Sequence, residues 1–153
     1  MGRIISEVNK AYIAGLIDAD GAIMASIEKH NEKKFGFRVR VIIKITQSNP
    51  KILFWIQKVF LTGRIVKNRT TYDWLVKDQK DVSKTINIIK KYLKVKNKQA
   101  KIALKILNLK IISKNSLINI AKLADTLASF NVRSKNRRKN FAIKIEENIP
   151  PND

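Results

Sequence analysis

Along residues 21–45 hydrophobic and polar positions alternate, and the alternation predicts a long β-hairpin. Ile23, Ala25 and Ile27 fall on one side of the first strand, with Met24, Ser26, Glu28 and His30 on the other. Side chains of a strand point to its two faces in turn, so the first set belongs in a core and the second in solvent. The polar run Asn31-Glu32-Lys33-Lys34 reads as the turn. Beyond it, Phe35, Phe37, Val39, Val41, Ile43 and Ile45 resume the inward face, with Arg38, Arg40, Ile42 and Lys44 outward. A shorter hairpin is predicted from Arg64 to Arg69 and from Thr71 to Lys77, with Tyr72, Trp74 and Val76 on one face and Asp73, Leu75 and Lys77 on the other.

Helical signals fill the remainder. Residues 7–17 are good helix formers that break at Asp18-Ala19-Asp20-Gly21. Asn49-Pro50 offers an N-cap followed by proline at the first helical position, starting a helix to about Leu61 that stops before Gly63. Asp78 caps a helix to about Leu93, Asn97 caps another to about Ile112, and two more are predicted over roughly 115–129 and 134–147. The order αββαββα followed by helices is an α+β pattern with an antiparallel four-stranded sheet. No low-complexity linker divides the chain, which is therefore read as one domain over 1–153, with a core of about 7–112 and C-terminal helices over about 115–147.

Charge changes the picture from fold to partner. Thirty-two Lys and Arg against 12 Asp and Glu give a formal +20. Self-repulsion on that scale is relieved by a polyanion, and duplex nucleic acid releases counterions when its phosphates are neutralised. Solubility alone is served better by acidic residues. No run of residues approaches the ~20 apolar positions needed to cross a bilayer, and the N-terminal residues lack the apolar core of a signal peptide. The expectation is an intracellular protein, in a prokaryotic cytoplasm or an organelle, with no membrane and no small-molecule cofactor. The absence of cysteine excludes disulfides and thiol chemistry, and a single histidine, His30, excludes a three-histidine metal site and a Ser-His-Asp triad.

The outward faces carry chemistry suited to base edges. Arginine and lysine take guanine, glutamate accepts from cytosine, and serine or asparagine reads several bases, so Met24, Ser26, Glu28, His30, Lys33, Arg38, Arg40 and Lys44 are candidate DNA contacts made by a β-ribbon in the major groove. Asn68, Thr70, Leu75 and Lys77 extend that surface on the second hairpin. The basic run 133–139 adds Arg137, Arg138 and Lys139 as candidate phosphate contacts. On the first helix Ala11, Ala14 and Gly15 lie three and four residues apart, a small-residue stripe that permits close approach of a second helix, with Asp18 beside it. Gly21 is expected to let the chain turn sharply into the strand. Asp20, just past the expected helix end, is placed to hold a hard cation against a phosphate.

Residues 13–21, Ile-Ala-Gly-Leu-Ile-Asp-Ala-Asp-Gly, resemble the LAGLIDADG signature of homing endonucleases, departing from it only at Ile13. Element order and spacing over about 7–112 are similar to the single-motif subgroup typified by algal chloroplast enzymes. That resemblance implies a homodimer with paired motif helices on double-stranded DNA. It further implies Mg²⁺, two or three ions per dimer with Mn²⁺ or Ca²⁺ as substitutes in binding, held by Asp20 and the backbone carbonyl of Ala19. Thr46-Gln47 matches the position whose glutamine organises water around the metals, and Lys96-Asn97-Lys98-Gln99-Ala100 resembles a segment whose second lysine, Lys98, stabilises charge on the phosphate. Lys51 stands where the family often has arginine, keeping the charge but losing the bidentate fork. The implied reaction is metal-dependent hydrolysis giving a staggered double-strand cut with short 3′ overhangs in a pseudo-palindromic site on the order of 20 base pairs. An intron RNA maturase, a non-catalytic DNA-binding regulator on the same fold and a basic ribosome-associated protein are the rival readings; retention of Asp20, Gln47 and Lys98 favours the nuclease.

Overall fold

The computed structural model describes residues 4–131 and 141–148. Its elements run α1 (Glu7–Asp20), β1 (Gly21–Lys29), β2 (Phe37–Gln47), α2 (Lys51–Phe60), β3 (Arg64–Asn68), β4 (Thr71–Val76), α3 (Gln79–Ile89), a 3₁₀ turn (Lys90–Tyr92), α4 (Asn97–Asn108), α5 (Lys114–Asn131) and α6 (Phe141–Asn148). The fold is α+β, and its first seven elements follow the αββαββα order. All neighbouring strands are antiparallel, in the order β1-β2-β4-β3.

Alternation decides the layers. Ile23, Ala25, Val41, Ile43, Ile45, Trp74 and Val76 are buried on one face of the sheet. They join Ile13, Ala14 and Ile17 of α1, Leu53 and Ile56 of α2, Val82 and Ile86 of α3, and Ala100 and Ala103 of α4 in one apolar cluster. Helix α5 adds Ile120, Ala124 and Leu127 to the same cluster, so five helices cover one face and leave the other uncovered. A second cluster of Phe37, Leu117, Ala121, Ala142 and Ile145 seats α5 and α6 near the far end of the long hairpin.

Local chemistry sets the element ends. Ser6 caps α1 by accepting from the Asn9 amide at 3.2 Å, and Asp78 caps α3 by accepting from the Lys80 and Asp81 amides. Gln79 does something else: its side-chain amide accepts from Val41 N–H at 2.8 Å and donates to Val41 C=O at 2.9 Å. It replaces a ladder rung just beyond Ile43↔Val76, the last pairing of β2 with β4 at that end.

Several boundaries differ from the sequence reading: α3 ends at Ile89 and a 3₁₀ turn precedes Leu93, and residues 134–140 of the last expected helix lie outside the described residues. Helix α1 continues through Asp20 instead of breaking at Asp18, so Asp20 is its last residue and not a residue beyond it. Helix α2 starts at Lys51 after Pro50, although the Asn49 side chain still accepts from the Lys51 amide at 3.0 Å. Helix α4 begins at Asn97, which is inside the helix with Lys96 as its cap, and ends at Asn108. The predicted turn freedom of Gly21 is also unneeded, because its φ of −105° is ordinary extended backbone. Glycine is required there for space: a Cβ would lie 2.7 Å from Ile17 Cα, 2.8 Å from Ile17 O and 3.0 Å from Lys44 O.

Candidate active site

The last turn of α1 gathers two carboxylates at the negative end of a helix dipole, with no basic residue in that turn to offset them. Their fates differ. Asp18 is spent inside the chain: its carboxylate accepts from the Lys94 and Lys96 amides at 2.7 and 2.9 Å, while the Lys96 ammonium donates to the Asp18 carbonyl at 2.6 Å. These bonds fasten the end of α1 to the residues that lead into α4. Asp20 is exposed and is engaged through Oδ2 alone, by the Gln47 side-chain amide at 2.8 Å. Gln47 ends β2, so strand and helix meet at this one carboxylate.

Lys51 shares with Gln47, Tyr12 and Trp55 an open hollow of about 510 Å³. Lys98 stands in the first turn of α4, its ammonium 5.7 Å from the centre of the Phe130 ring of α5. Asn131, the next residue, donates from its side chain to Ile23 C=O at 2.7 Å, which secures the end of α5 against β1. The structure therefore joins Asp20 to Gln47 directly and brings Lys51 beside Gln47. Lys98 follows the Asp18–Lys96 clamp by two residues, with its ammonium beside the Phe130 ring.

The uncovered face of the sheet can be read row by row from the pairing. Glu28 lies opposite Arg38, Ser26 opposite Arg40 and Met24 opposite Ile42. Lys44 lies between Ala22 and Leu75, and Arg64 lies beyond Leu75. Asn68 closes the last row and Thr70 sits in the turn between β3 and β4. Lys77 falls just after β4, and Lys33 is exposed in the turn of the long hairpin. His30 is half-buried at the mouth of that hairpin, its amide bonded to Gly36 C=O at 2.8 Å. At 11 residues β2 extends about 37 Å, the length of roughly one turn of duplex DNA.

The family model described as LAGLIDADG endonuclease matches residues 13–106. The chain belongs to the LAGLIDADG endonuclease family. DNA endonuclease I-CreI of Chlamydomonas reinhardtii is 28% identical over 132 residues, spanning 83% of this chain and 80% of that protein. DNA endonuclease I-CvuI of Chlorella vulgaris is 33% identical over 100 residues, 63% of this chain and 62% of that one. A crystal structure of I-CvuI with a DNA target in the presence of magnesium matches the fold at a TM-score of 0.83 and 29% identity, over 92% of each chain. The same protein has been crystallised with its own target in the presence of calcium.

Two expectations need correction, one on the motif helix and one on the sheet. Ala14 is fully buried in the chain's own core, so it cannot line a helix–helix contact with a second molecule. The exposed face of α1 consists of Val8, Ala11, Tyr12, Gly15 and Ala19, and space at Gly15 is open. Asp18, expected beside that contact, has its carboxylate engaged by the Lys94 and Lys96 amides of its own chain. On the sheet, Glu28 is not a free acceptor for cytosine, because it is occupied by Arg38 and Arg40. Arg137, Arg138 and Lys139 lie outside the described residues.

Sequence reading missed Arg64, whose parity with Asn68 on β3 signals the outward face. It also missed the bond from Lys96 to the Asp18 carbonyl and the burial of Asp73, which is only 7% exposed and accepts from the Thr46 hydroxyl at 2.6 Å on that same face. No local signal marks those two, since both depend on partners distant in sequence.

The donor set at Asp20 fits a hard divalent cation in a restricted sense. Among the described residues no three His, Asp or Glu side chains are gathered into a metal cluster. One chain thus offers a single available carboxylate and terminal helix carbonyls, Ala19 among them, that an α-helix leaves without intrahelical partners. Mg²⁺ is commonly bound in that way, through one or two carboxylates plus substrate phosphates and retained water.

Proposed function

We propose that the chain is a site-specific homing endonuclease, a single domain that works as a homodimer and makes a staggered double-strand cut in a long pseudo-palindromic duplex. The observation that carries this reading is the Asp20–Gln47 pair at the end of the motif helix, left available while Asp18 is consumed by the fold. Divalent metal serves the reaction, with Mg²⁺ the ion proposed. When bound, such a cation stabilises the attacking and leaving oxygens of phosphodiester hydrolysis. The chain's own residues then have separate tasks. Asp20 and the Ala19 carbonyl supply oxygen ligands, and Gln47 holds the Asp20 carboxylate in one orientation. Lys98 and Lys51 offer ammonium charge to the scissile phosphate.

Two copies are needed because one chain holds one such carboxylate and a duplex has two strands. The exposed stripe of Ala11, Gly15 and Ala19, flanked by Val8 and Tyr12, supports pairing through α1, where small side chains allow backbones to approach closely. Each sheet then lies along one half-site in the major groove, with Met24, Ser26, Arg38, Arg40, Lys44, Arg64, Asn68, Thr70, Leu75 and Lys77 toward the bases.

The test compares the protein with Asp20→Asn on a library of duplex targets with Mg²⁺. The parent protein is expected to give discrete double-strand products, and Asp20→Asn to lose on the order of a thousandfold in rate while still binding, as removal of several kcal/mol of charge stabilisation requires. Cleavage by both proteins overturns the site. Cleavage by neither, with tight binding of a structured intron RNA, replaces the nuclease with a maturase.

A further inference from the structure

On the uncovered face of the long hairpin, one carboxylate holds two guanidinium groups. Arg38 Nη2 donates to Glu28 Oε2 at 2.9 Å, and Arg40 Nη2 donates to Oε1 at 3.0 Å and to Oε2 at 3.1 Å. The Ser26 hydroxyl approaches Oε1 at 3.5 Å. An ionised carboxylate has about four lone-pair sites, and the four contacts made by these three donors fill them. Glu28 therefore has nothing left to offer a cytosine amine. The two arginines are in the opposite position, since each has five N–H donors and has committed only Nη2.

Their orientation is also restricted. The Nε of each is shielded from solvent and has no partner, so what each arginine has left to offer is Nη1 and the Nη2 hydrogen that Glu28 does not take, the end-on edge of the guanidinium. A guanidinium presented end-on matches O6 and N7 of guanine in the major groove. Holding it there beforehand removes rotamer entropy that a free arginine loses on binding. The carboxyl of Glu28 is drawn down to about 2 by hydrogen bonds from Arg38 and then Arg40, which favours the ionised form that holds them.

We propose that Glu28 is a positioning residue that fixes Arg38 and Arg40 as a pair of guanine readers. The inference rests on the DNA-cleaving function proposed above and adds a sequence requirement to it. Arg38 and Arg40 are next neighbours on one face of a strand, about 6.8 Å apart. With a rise of 3.4 Å per base pair, each half-site carries two guanines spaced by about two base pairs.

Selection of bound duplexes from a library randomised across one half-site, in EDTA so that binding is read without cutting, tests this with the full chain. The parent protein is expected to enrich guanine at two positions. Arg38→Ala and Arg40→Ala each erase one of them. Glu28→Gln weakens both preferences by roughly tenfold or more, while affinity for random-sequence duplex stays the same or rises because a negative charge has gone. Glu28→Asp keeps the charge but draws the carboxylate back by one methylene, and it is expected to weaken both preferences too, which separates positioning from neutralisation. Full discrimination by Glu28→Asp or Glu28→Gln overturns the proposal, as does a cytosine preference that follows Glu28 while the guanines persist. A parent protein that selects a defined site lacking these guanines sinks this inference alone; one that selects no sequence at all sinks the nuclease reading with it.

Discussion

Asp18 and Asp20 are one residue apart from adjacency on the same helix turn, yet their surroundings give them opposite roles. Asp18 accepts two backbone amides from residues more than seventy positions away, so it acts as a structural link between α1 and α4. Replacing it by alanine leaves the Lys94 and Lys96 amides without acceptors. We expect Asp18→Ala to lose about 1–3 kcal/mol in urea unfolding, with slower cleavage because the start of α4, and Lys98 with it, loses its anchor. Glu28 lends itself to an acid titration. Its folded-state pKa lies below the ordinary 4.5, at about 2, through Arg38 and Arg40. The stabilisation it contributes is therefore fully present above 4.5 and is lost as pH falls through about 2. Its side chain is 40% exposed, so solvent screening holds that contribution to about 1 kcal/mol or less. The stability difference between the parent protein and Glu28→Gln should shrink over that window; a difference that persists below it contradicts the ion-pair assignment.

At the scale of elements, the joint between α1 and β1 places Asp20, and Gly21 makes the joint. A side chain there meets backbone atoms of Ile17 and Lys44 that cannot rotate away. Gly21→Ala is expected to cost about 1–3 kcal/mol in thermal unfolding and to lower cleavage further than the stability loss accounts for, since the helix end must shift to relieve the clash. The β3–β4 hairpin is tied down at its base in another way. Gly63, at a φ of +92°, lies so close to the Trp74 ring that a Cβ would overlap it, and Trp74 Nε1 donates to Thr62 C=O at 3.0 Å. Both glycines are visible in the sequence as breaks between elements, but the reason for each differs: Gly21 answers to close packing, whereas Gly63 answers to packing and to a left-handed backbone.

For the molecule as a whole, α1 has two faces with different obligations. Ile13, Ala14 and Ile17 belong to the core, while Val8 is 77% and Tyr12 53% exposed. Because a Cβ at Gly15 meets nothing within 4 Å, Gly15→Glu is expected to leave the single chain folded, or to stabilise its helix by up to about 1 kcal/mol. The same change sets a charge in the proposed contact between two copies. Sedimentation should show the dimer lost and double-strand cutting should fall with it; a Gly15→Glu protein that stays dimeric removes α1 as the interface.

Much of this was legible beforehand, for a definite physical reason. Period-2 and helical patterns report which side of an element is apolar, so both hairpins, the outward set from Ser26 to Lys77 and the αββαββα order follow from local residues. The motif at 13–21 identified the position of Asp20 because its chemistry is written in consecutive residues. What local pattern cannot report is the partner a side chain meets across space. The strand order β1-β2-β4-β3, the burial of Ala14, the capture of Asp18 by the Lys94 and Lys96 amides, the Gln47–Asp20 bond and the saturation of Glu28 by two arginines each depend on segments brought together by the collapsed core. Sequence determined which residues were available for chemistry; tertiary contact decided which of them had already been used.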